Sequence, residues 1–199
     1  MLTKSRAQGT TLMGFQPYDL RAERWRNGNG VTRSVASAKE GADTPWRLSI
    51  ATVDHVADFS RFPGVERCSV LLKGPGLLLR GGSRERAFAE VGALCDYAGE
   101  EALRAIPGTR AAYLWNVMTR RGVARAEVNV QQGRRGSLEG AAASAVFVLE
   151  GIVEISVTAH PRLLLLGGQG GVLTGAPATL RLAAFGGRAR WVATRILPS

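Results

Sequence analysis

The sequence predicts an all-β protein, a sandwich or a barrel of roughly ten to twelve short strands. Apolar and polar residues alternate with a period of two in several short stretches, which is the pattern of a strand with one buried face. Residues 124–131 show it most clearly, because alanine and valine at the even positions oppose Arg, Glu, Asn and Gln at the odd positions. Glycine and proline separate these stretches, as they do between the strands of small β-proteins.

Taken in order, the first clear strand covers residues 47–53, with Leu48 and Ile50 on one face and Arg47, Ser49 and Ala51 on the other. A turn at Pro63-Gly64 follows. The remaining predicted strands are 68–72, 77–80, 111–118, 124–131, 145–149, 152–158, 162–166, 178–183 and 189–196.

Two hairpins are predicted between neighbouring strands. One joins 68–72 to 77–80 through Gly74-Pro75-Gly76, and the other joins 145–149 to 152–158 through Glu150-Gly151. Residues 84–105 are ambiguous, because their apolar residues have helical spacing while two glycines would each weaken a helix by ~1 kcal/mol. The sequence leaves helix and strand open there.

The length of 199 residues suits one well-buried unit. Residues 1–14 have no clear period, so we expect a loose N-terminal leader. Residues 15–199 are then one unit of two β-halves, about 15–110 and 111–199. A hydrophobic share of 45% and a charged share of 21% are those of an ordinary folded protein.

The formal net charge of +10 does not by itself indicate a nucleic-acid partner. Only three of the 26 basic residues are lysines, the arginines are spread along the chain, and no basic helix or zinc-finger spacing accompanies them. Arginine grips planar carboxylates through paired hydrogen bonds, so the same count fits the binding of a small anion. We therefore expect no nucleic-acid partner.

Cys68 and Cys95 are the only cysteines and have no Cys-x-x-Cys spacing, which makes a zinc or redox motif unexpected. The chain has neither a secretory signal pattern nor a stretch near the ~20 apolar residues of a membrane span. We expect a cytoplasmic protein with reduced thiols and no membrane partner.

Catalytic signatures are missing from the sequence. His55 and His160 are the only histidines, too few for the metal site of a catalytic cupin, and there is no Gly-x-Ser-x-Gly elbow or reactive Cys–His pattern. Glu100 and Glu101 are adjacent and would point in different directions in a strand or a helix. We therefore expect no metal, no cofactor and no catalytic residue.

The densest group of recognition side chains is the stretch Trp25-Arg26-Asn27-Gly28-Asn29-Gly30-Val31-Thr32-Arg33. By itself it fits a plain hairpin turn whose Asn-Gly pairs supply positive φ. Later arginines lie beside apolar and amide groups: Arg47 with Ser49 on one strand face, Arg61 and Arg67 on either side of Phe62-Pro63-Gly64, and Asn116 ahead of Arg120. Brought together in a concave site, these guanidinium groups would bind a small carboxylate, with aromatic rings as an apolar wall.

Four blocks in this order resemble the HutD/Ves family of bacterial cupin-like proteins. They are Trp25–Arg33, Trp46–Ala51 (Trp-Arg-Leu-Ser-Ile-Ala), Phe59–Arg67 (Phe-Ser-Arg-Phe-Pro-Gly-Val-Glu-Arg) and Asn116–Gly122 (Asn-Val-Met-Thr-Arg-Arg-Gly). The resemblance covers about residues 15–122, and no specific motif of the family is found beyond Gly122.

The resemblance implies a double-barrel, two-cupin (RmlC-like) β fold in one chain, without the metal-binding histidines of catalytic cupins. Family members associated with histidine catabolism are thought to restrain that pathway, with formylglutamate or urocanate as suggested ligands, and others are described as stress-linked. Both suggested ligands are carboxylates.

The four blocks supply the candidate ligand-binding residues: Trp25, Asn27, Gly28, Gly30, Thr32, Arg47, Ser49, Arg61, Phe62, Arg67, Asn116 and Arg120. Two departures from the family pattern stand out. Asn29 replaces the middle one of three glycines, and Leu114-Trp115 stand where the family commonly has an acidic residue and an aromatic or leucine. The second departure removes a carboxylate that could act as an acid, a base or a partner for an arginine.

Three functions are compatible with the sequence. The favoured one is a metal-free binding protein for a formylglutamate- or urocanate-like carboxylate, acting as a governor of histidine utilisation or in a stress response. An enzyme acting on a small acid, with Asn, Arg and Ser polarising the substrate, is the first alternative. A structural or protein-interaction role is the second, and the sequence permits a homodimer.

Overall fold

The computed structural model describes residues 3–7, 9–25, 30–38, 44–82, 84–175 and 177–199. Over these residues the chain forms twenty β-strands and one short 3₁₀ turn, and no α-helix. The prediction of an all-β protein is confirmed. No helix in these ranges is long and apolar enough to cross a membrane.

The strands of the first half are β1 (Thr3–Ala7), β2 (Thr10–Phe15), β3 (Ala22–Arg24), β4 (Val31–Ser37), β5 (Trp46–Val53), β6 (Ala57–Asp58), β7 (Val65–Lys73), β8 (Leu77–Gly81), β9 (Arg84–Phe88), β10 (Leu94–Ala98), β11 (Arg104–Pro107) and β12 (Ala112–Arg120). The 3₁₀ turn is Pro17–Asp19. The strands of the second half are β13 (Ala124–Gly133), β14 (Arg135–Leu138), β15 (Ala143–Glu150), β16 (Ile152–Ser156), β17 (Leu163–Leu166), β18 (Gly170–Thr174), β19 (Leu180–Ala184) and β20 (Ala189–Pro198).

The chain divides into two compact units. The central unit is Arg21–Arg125, and the terminal unit combines Met1–Leu20 with Ala126–Ser199. The division between the halves thus falls at residue 125 rather than near 110, and the first twenty residues belong with the C-terminal half. A long-range grouping of this kind follows from strand pairing, which local sequence patterns do not contain.

Both units repeat one topology. The central unit has a six-stranded sheet of order β10-β7-β12-β5-β4-β3 and a four-stranded sheet of order β6-β11-β8-β9. The terminal unit has β1-β2-β18-β15-β20-β13 and β14-β19-β16-β17. Strand for strand, β18-β15-β20-β13 matches β10-β7-β12-β5, and the two four-stranded sheets match in the same way.

The N-terminal segment differs from the loose leader that the sequence predicts. Thr10–Phe15 forms β2, which pairs with β18 in antiparallel register. Leu12 and Phe15 are almost completely buried, and Leu12 belongs to the hydrophobic core of the terminal unit. Because the partner strand lies more than 150 residues away in sequence, the first 14 residues alone give no indication of it.

The two predicted hairpins are corners between sheets. β7 pairs with β10 and β12, whereas β8 pairs with β9 and β11 in the other sheet. β15 and β16 likewise lie in different sheets of the terminal unit. Two apolar strands joined by a glycine turn look the same in sequence whether the chain folds back within one sheet or crosses to the next, because both faces that become buried are apolar.

Residues 84–105 contain β9, β10 and the start of β11, so the open choice between helix and strand resolves to strand. In each unit the apolar faces of the two sheets meet in a core. The core of the central unit includes Leu71, Leu79, Phe88 and Leu114, and that of the terminal unit includes Val146, Ile155, Leu182 and Trp191.

Candidate functional site

A cavity of about 420 Å³ opens in the central unit on the inner face of its six-stranded sheet. Its lining comes from β3, β4, β5, β7 and β12 and from the loop before β7. The lining residues are Glu23, Arg24, Trp25, Thr32, Arg47, Ser49, Ala51, Phe59, Ser60, Phe62, Arg67, Asn116 and Met118. Most of them are polar or aromatic, and three are arginines.

The antiparallel register arranges these side chains in three parallel rows across the sheet. An apolar row, Ala51–Leu114–Leu71, belongs to the hydrophobic core. A polar row follows two residues along each strand, Ser34–Ser49–Asn116–Ser69–Cys95, and a third row reads Arg47–Met118–Arg67–Tyr97. Every second residue of a strand points to the same face, so all three rows face the same side of the sheet. Across the cavity, the first row is apolar, the second polar, and the third contains two arginines.

Arg67 is the most unusual of the lining residues, because its guanidinium is buried without a carboxylate partner. The residue is 7% exposed. Its Nη1 donates to the carbonyl oxygen of Ser60 at 3.4 Å, and its Nε has no hydrogen-bond partner among the described residues. No Asp or Glu side chain in the described part of the chain forms an ion pair with it. Burial lowers the pKa of Arg67, an effect that the neighbouring Tyr97 partly opposes.

Three aromatic rings surround the Arg67 guanidinium. Its Cζ lies 4.9 Å from the ring centre of Tyr97, 5.1 Å from that of Phe59 and 5.6 Å from that of Phe62. The negative faces of such rings attract a cation and replace part of its lost hydration. They leave the charge itself without a counter-charge among the described residues, so this point of the cavity favours an anion.

Arg47 lies on the far side of Met118 in the same row and is half-buried. Its Nη2 donates to Ser34 Oγ at 3.0 Å, which fixes the guanidinium beside the polar row. Arg24 and Glu23 lie at the cavity wall on β3. The charged groups that line the cavity are therefore three arginines and one glutamate, which favours an anion.

A buried chain of hydrogen bonds supports Asn116. Ser69 Oγ donates to Asn116 Oδ1 at 2.6 Å, and the same Oγ lies 2.8 Å from the hydroxyl of Tyr97. All three residues are at most 5% exposed, so water does not compete for these bonds. The chain holds the amide of Asn116 in one orientation within the polar row.

Trp25 forms one wall of the cavity and is held on three sides. Its Nε1 donates to Thr32 Oγ1 at 2.8 Å, and its ring packs edge-on against Phe59 with ring centres 5.6 Å apart. Its backbone N–H donates to the carbonyl oxygen of Gly30 at 3.0 Å. A Cβ at position 30 would lie 2.8 Å from the Trp25 ring, so glycine is required there by close approach.

Seven of the predicted site residues line this cavity: Trp25, Thr32, Arg47, Ser49, Phe62, Arg67 and Asn116. Gly30 supports Trp25 from behind. Asn27, Gly28 and the unusual Asn29 lie outside the described residues. The residue at the other departure from the family pattern, Leu114, is fully buried in the apolar row.

Arg61 and Arg120 do not line the cavity, contrary to the prediction. Arg61 is exposed on the loop between Ser60 and Phe62, which themselves contribute to the lining. Arg120 is the last residue of β12, two residues after Met118 and on the same face of the strand, and it is exposed there. Arg61 and Arg120 are thus close in sequence to lining residues but lie outside the cavity. At these positions a loop and a strand end direct the side chains toward solvent.

Sequence reasoning missed Tyr97 and Ser69, which lie behind the lining, and six residues within it: Glu23, Arg24, Ala51, Phe59, Ser60 and Met118. The signal for Met118 was present, because it follows Asn116 by two residues on a predicted strand. Tyr97 fell in the stretch whose secondary structure stayed open. Over the described residues, no group of three or more His, Cys, Asp or Glu is placed to hold a metal ion.

The HutD family model matches residues 18–191 of the chain. Protein Ves of Cronobacter sakazakii is 34% identical over 133 residues, which cover 66% of this chain and 73% of that protein. A conserved protein of unknown function from Pseudomonas aeruginosa PAO1 is similar in structure, with a TM-score of 0.80 and 26% identity over 94% of this chain and 98% of that one. HutD from Pseudomonas fluorescens SBW25 has a TM-score of 0.77 and 18% identity, covering 94% and 99% of the two chains.

The fold is also that of cupins more widely. A cupin 2 conserved barrel domain protein from Leptotrichia buccalis has a TM-score of 0.64 at 9% identity, over 94% of this chain and 96% of that one. The cupin-like all-β fold expected from the sequence is confirmed.

Proposed function

This chain belongs to the HutD family, and we propose that it is a metal-free cupin-like protein that binds a small carboxylate in the cavity of its central unit. One observation carries the proposal: the guanidinium of Arg67 is buried at the cavity and has no carboxylate partner among the described residues. A buried charge without a counter-charge is costly to the fold, and a bound carboxylate would offset that cost.

The neighbouring groups support an anionic ligand. Arg47 presents hydrogen-bond donors in the row of Arg67, and Ser49 and Asn116 present them in the polar row beside it. Charge-assisted hydrogen bonds to a carboxylate are about twice as strong as neutral ones. Trp25 and Phe62 offer flat apolar surfaces for the rest of the ligand. Position 114, being leucine, adds no carboxylate that would compete for the arginines.

The volume of the cavity supports ligands larger than formate. About 420 Å³ lies within the range of small-molecule sites and accommodates molecules the size of formylglutamate or urocanate. HutD of Pseudomonas fluorescens SBW25 was determined under a formate condition, so formate is the smallest carboxylate to test.

We infer that the protein acts by binding, as a governor of histidine utilisation or in a stress response, in the cytoplasm. The proposal requires no nucleic acid, membrane or cofactor. A homodimer would carry one such cavity in each central unit.

Titration by calorimetry and by thermal shift tests the proposal, with formate, formylglutamate and urocanate as probes. We expect at least one of them to bind wild-type protein and to raise its melting temperature in proportion to ligand concentration. In Arg67→Met, loss of a charge-assisted contact worth about 1.5–3 kcal/mol should weaken binding about 10- to 150-fold. The unliganded variant should be as stable as wild type or more stable by up to about 2 kcal/mol, because the uncompensated charge is gone.

Arg61→Met is the matched control, since it removes an exposed arginine from the loop before β7 that does not line the cavity. It should bind like wild type. If none of the probes binds at millimolar concentration, or if Arg61→Met and Arg67→Met lose binding equally, the proposal is wrong. Turnover of a probe by wild-type protein at high concentration would instead favour an enzyme.

A further inference from the structure

We propose that Ser69, whose hydroxyl oxygen accepts from Tyr97, positions the side-chain amide of Asn116 with its N–H groups toward the cavity, so that the site selects a carboxylate over the corresponding amide. The inference rests on the proposed function and adds a specificity-determining residue to it. Ser69 is absent from the cavity lining and was not among the predicted site residues.

The direction of the hydrogen-bond chain follows from proton counting. A tyrosine or serine hydroxyl has one proton to donate. The Tyr97 hydroxyl has Ser69 Oγ, at 2.8 Å, as its hydrogen-bond partner among the described residues, so its proton must go there. The proton of Ser69 is then directed to Asn116 Oδ1 at 2.6 Å. The carbonyl end of the Asn116 amide is thereby occupied.

The reverse arrangement leaves a defect. If Asn116 were rotated to donate from Nδ2 to Ser69, its Oδ1 would no longer accept there, and one of the two hydroxyl protons of Ser69 and Tyr97 would be buried without an acceptor, in side chains that are 0% and 4% exposed. An unsatisfied buried donor is costly, so the Ser69 hydroxyl, which already accepts from Tyr97, disfavours this rotamer. Burial also raises the pKa of Tyr97, which keeps the donated proton in place at neutral pH.

Asn116 Nδ2 consequently faces the cavity. Asn116 lines the cavity, and its Nδ2 has no acceptor among the described residues although the residue is only 5% exposed. Together with Arg47 and Arg67, it makes the inner part of the site rich in donors. A carboxylate offers only acceptors and fits, whereas a primary amide would bring its own N–H groups against donors.

The double variant Ser69→Ala/Tyr97→Phe tests the inference, because it removes both hydroxyls of the chain. Asn116 Oδ1 then has no donor there, and the amide can rotate to present its oxygen to the cavity. Calorimetry compares urocanate with urocanamide on each protein. We expect the preference of wild type for the acid to fall about fivefold or more in the double variant, but less than twofold in Tyr97→Phe alone, in which Ser69 still donates to Asn116 and the ring stays 4.9 Å from Arg67 Cζ. It should be unchanged in Tyr18→Phe, which alters an exposed tyrosine.

A second readout does not depend on the ligand. In ligand-free wild type, nuclear magnetic resonance should show the Asn116 side-chain amide protons exchanging with water, and their resonances should shift in the double variant. An unchanged acid-to-amide preference in the double variant, with binding intact, overturns the inference and leaves the proposed function standing. If wild type binds neither urocanate nor urocanamide, the resonances decide: amide protons bonded to Ser69 and protected from water overturn the inference, whereas water-exchanging ones support it. The proposed function itself fails only if formate and formylglutamate are not bound either.

Discussion

At position 67 the guanidinium loses most of its contact with water and gains three aromatic rings and one long hydrogen bond. Two other partly buried arginines have carboxylate partners: Arg86 pairs with Glu101 at 2.8 Å, and Arg195 pairs with Glu127 at 2.7 Å. This contrast is what we expect if Arg67 is kept for a ligand, as proposed above. Stability is given up at such sites in return for binding.

Because of Tyr97, the free energy of unfolding should fall at alkaline pH. Burial raises its pKa above the ordinary value, although Arg67 and the Ser69 hydrogen bond partly oppose this. Between the unfolded pKa of about 10 and the higher folded value, the folded state keeps a proton that the unfolded state has lost. Stability is therefore full below pH 10 and falls above it, by up to about 1.4 kcal/mol per pH unit.

In Tyr97→Phe, the free energy of unfolding should fall less steeply with pH than in wild type. Urea unfolding from pH 8 to 11 under reducing conditions measures the difference. Cys68, whose pKa is also raised by burial, remains in both proteins and contributes the same sign. Identical slopes for wild type and Tyr97→Phe would mean that Tyr97 is not protected from ionisation in the fold.

At the scale of elements, the end of β10 holds the loop that carries Phe62. The Phe62 N–H donates to the carbonyl oxygen of Gly99 at 2.7 Å, and the Gly99 N–H donates to that of Val65 at 2.7 Å. A Cβ on residue 99 would lie 2.4 Å from the Phe62 oxygen and 2.8 Å from the Val65 oxygen. Both are backbone atoms, so the loop itself would have to move.

Gly99→Ala should therefore destabilise the protein by about 1–3 kcal/mol and also weaken ligand binding, because Phe62 and Arg67 lie on either side of the displaced backbone. Denaturant unfolding and calorimetry measure the two effects. Gly122→Ala is the control: with φ of 74° and no atom near the added Cβ, it should cost about 1 kcal/mol of stability and leave binding unchanged. Equal binding in Gly99→Ala and wild type would show that the loop position does not matter to the site.

At the scale of the whole molecule, the repeated topology does not repeat the site. In the terminal unit, the strand that matches β7 is β15, and its inward residues Val148, Val146 and Ser144 pair with Trp191, Ala193 and Arg195 on β20. Where the central unit has Ser69 beside Asn116, the terminal unit has Val146 beside Ala193. The arginine of this row is already neutralised by Glu127.

Each chain should therefore bind one ligand. Calorimetric titration with any carboxylate that binds should give a stoichiometry of one per chain, and Arg67→Met should weaken that single event. Val146→Ala, which alters the matching position of the terminal unit, should leave the stoichiometry unchanged even if it lowers stability. Two binding events of similar affinity would contradict the assignment of the site to the central unit.

The sequence by itself determined ten of the twenty strands of the described residues, the strand face shared by Arg47 and Ser49, and membership of the family. These follow from a period of two and from residues close together in the chain, both of which are local properties. It also indicated that arginines would carry the chemistry of the site, and seven of the twelve residues it singled out line the cavity.

Only the tertiary structure decided which side chains meet. Alternation says on which side of a strand a residue lies but not which residue lies beside it, because register is set by pairing between distant strands. That register places Arg67 between Met118 and Tyr97, leaves Arg61 and Arg120 at the rim, and brings Thr10–Phe15 to the C-terminal half. The unpaired charge of Arg67 is likewise a tertiary property, since an arginine in a sequence does not show which carboxylates will reach it.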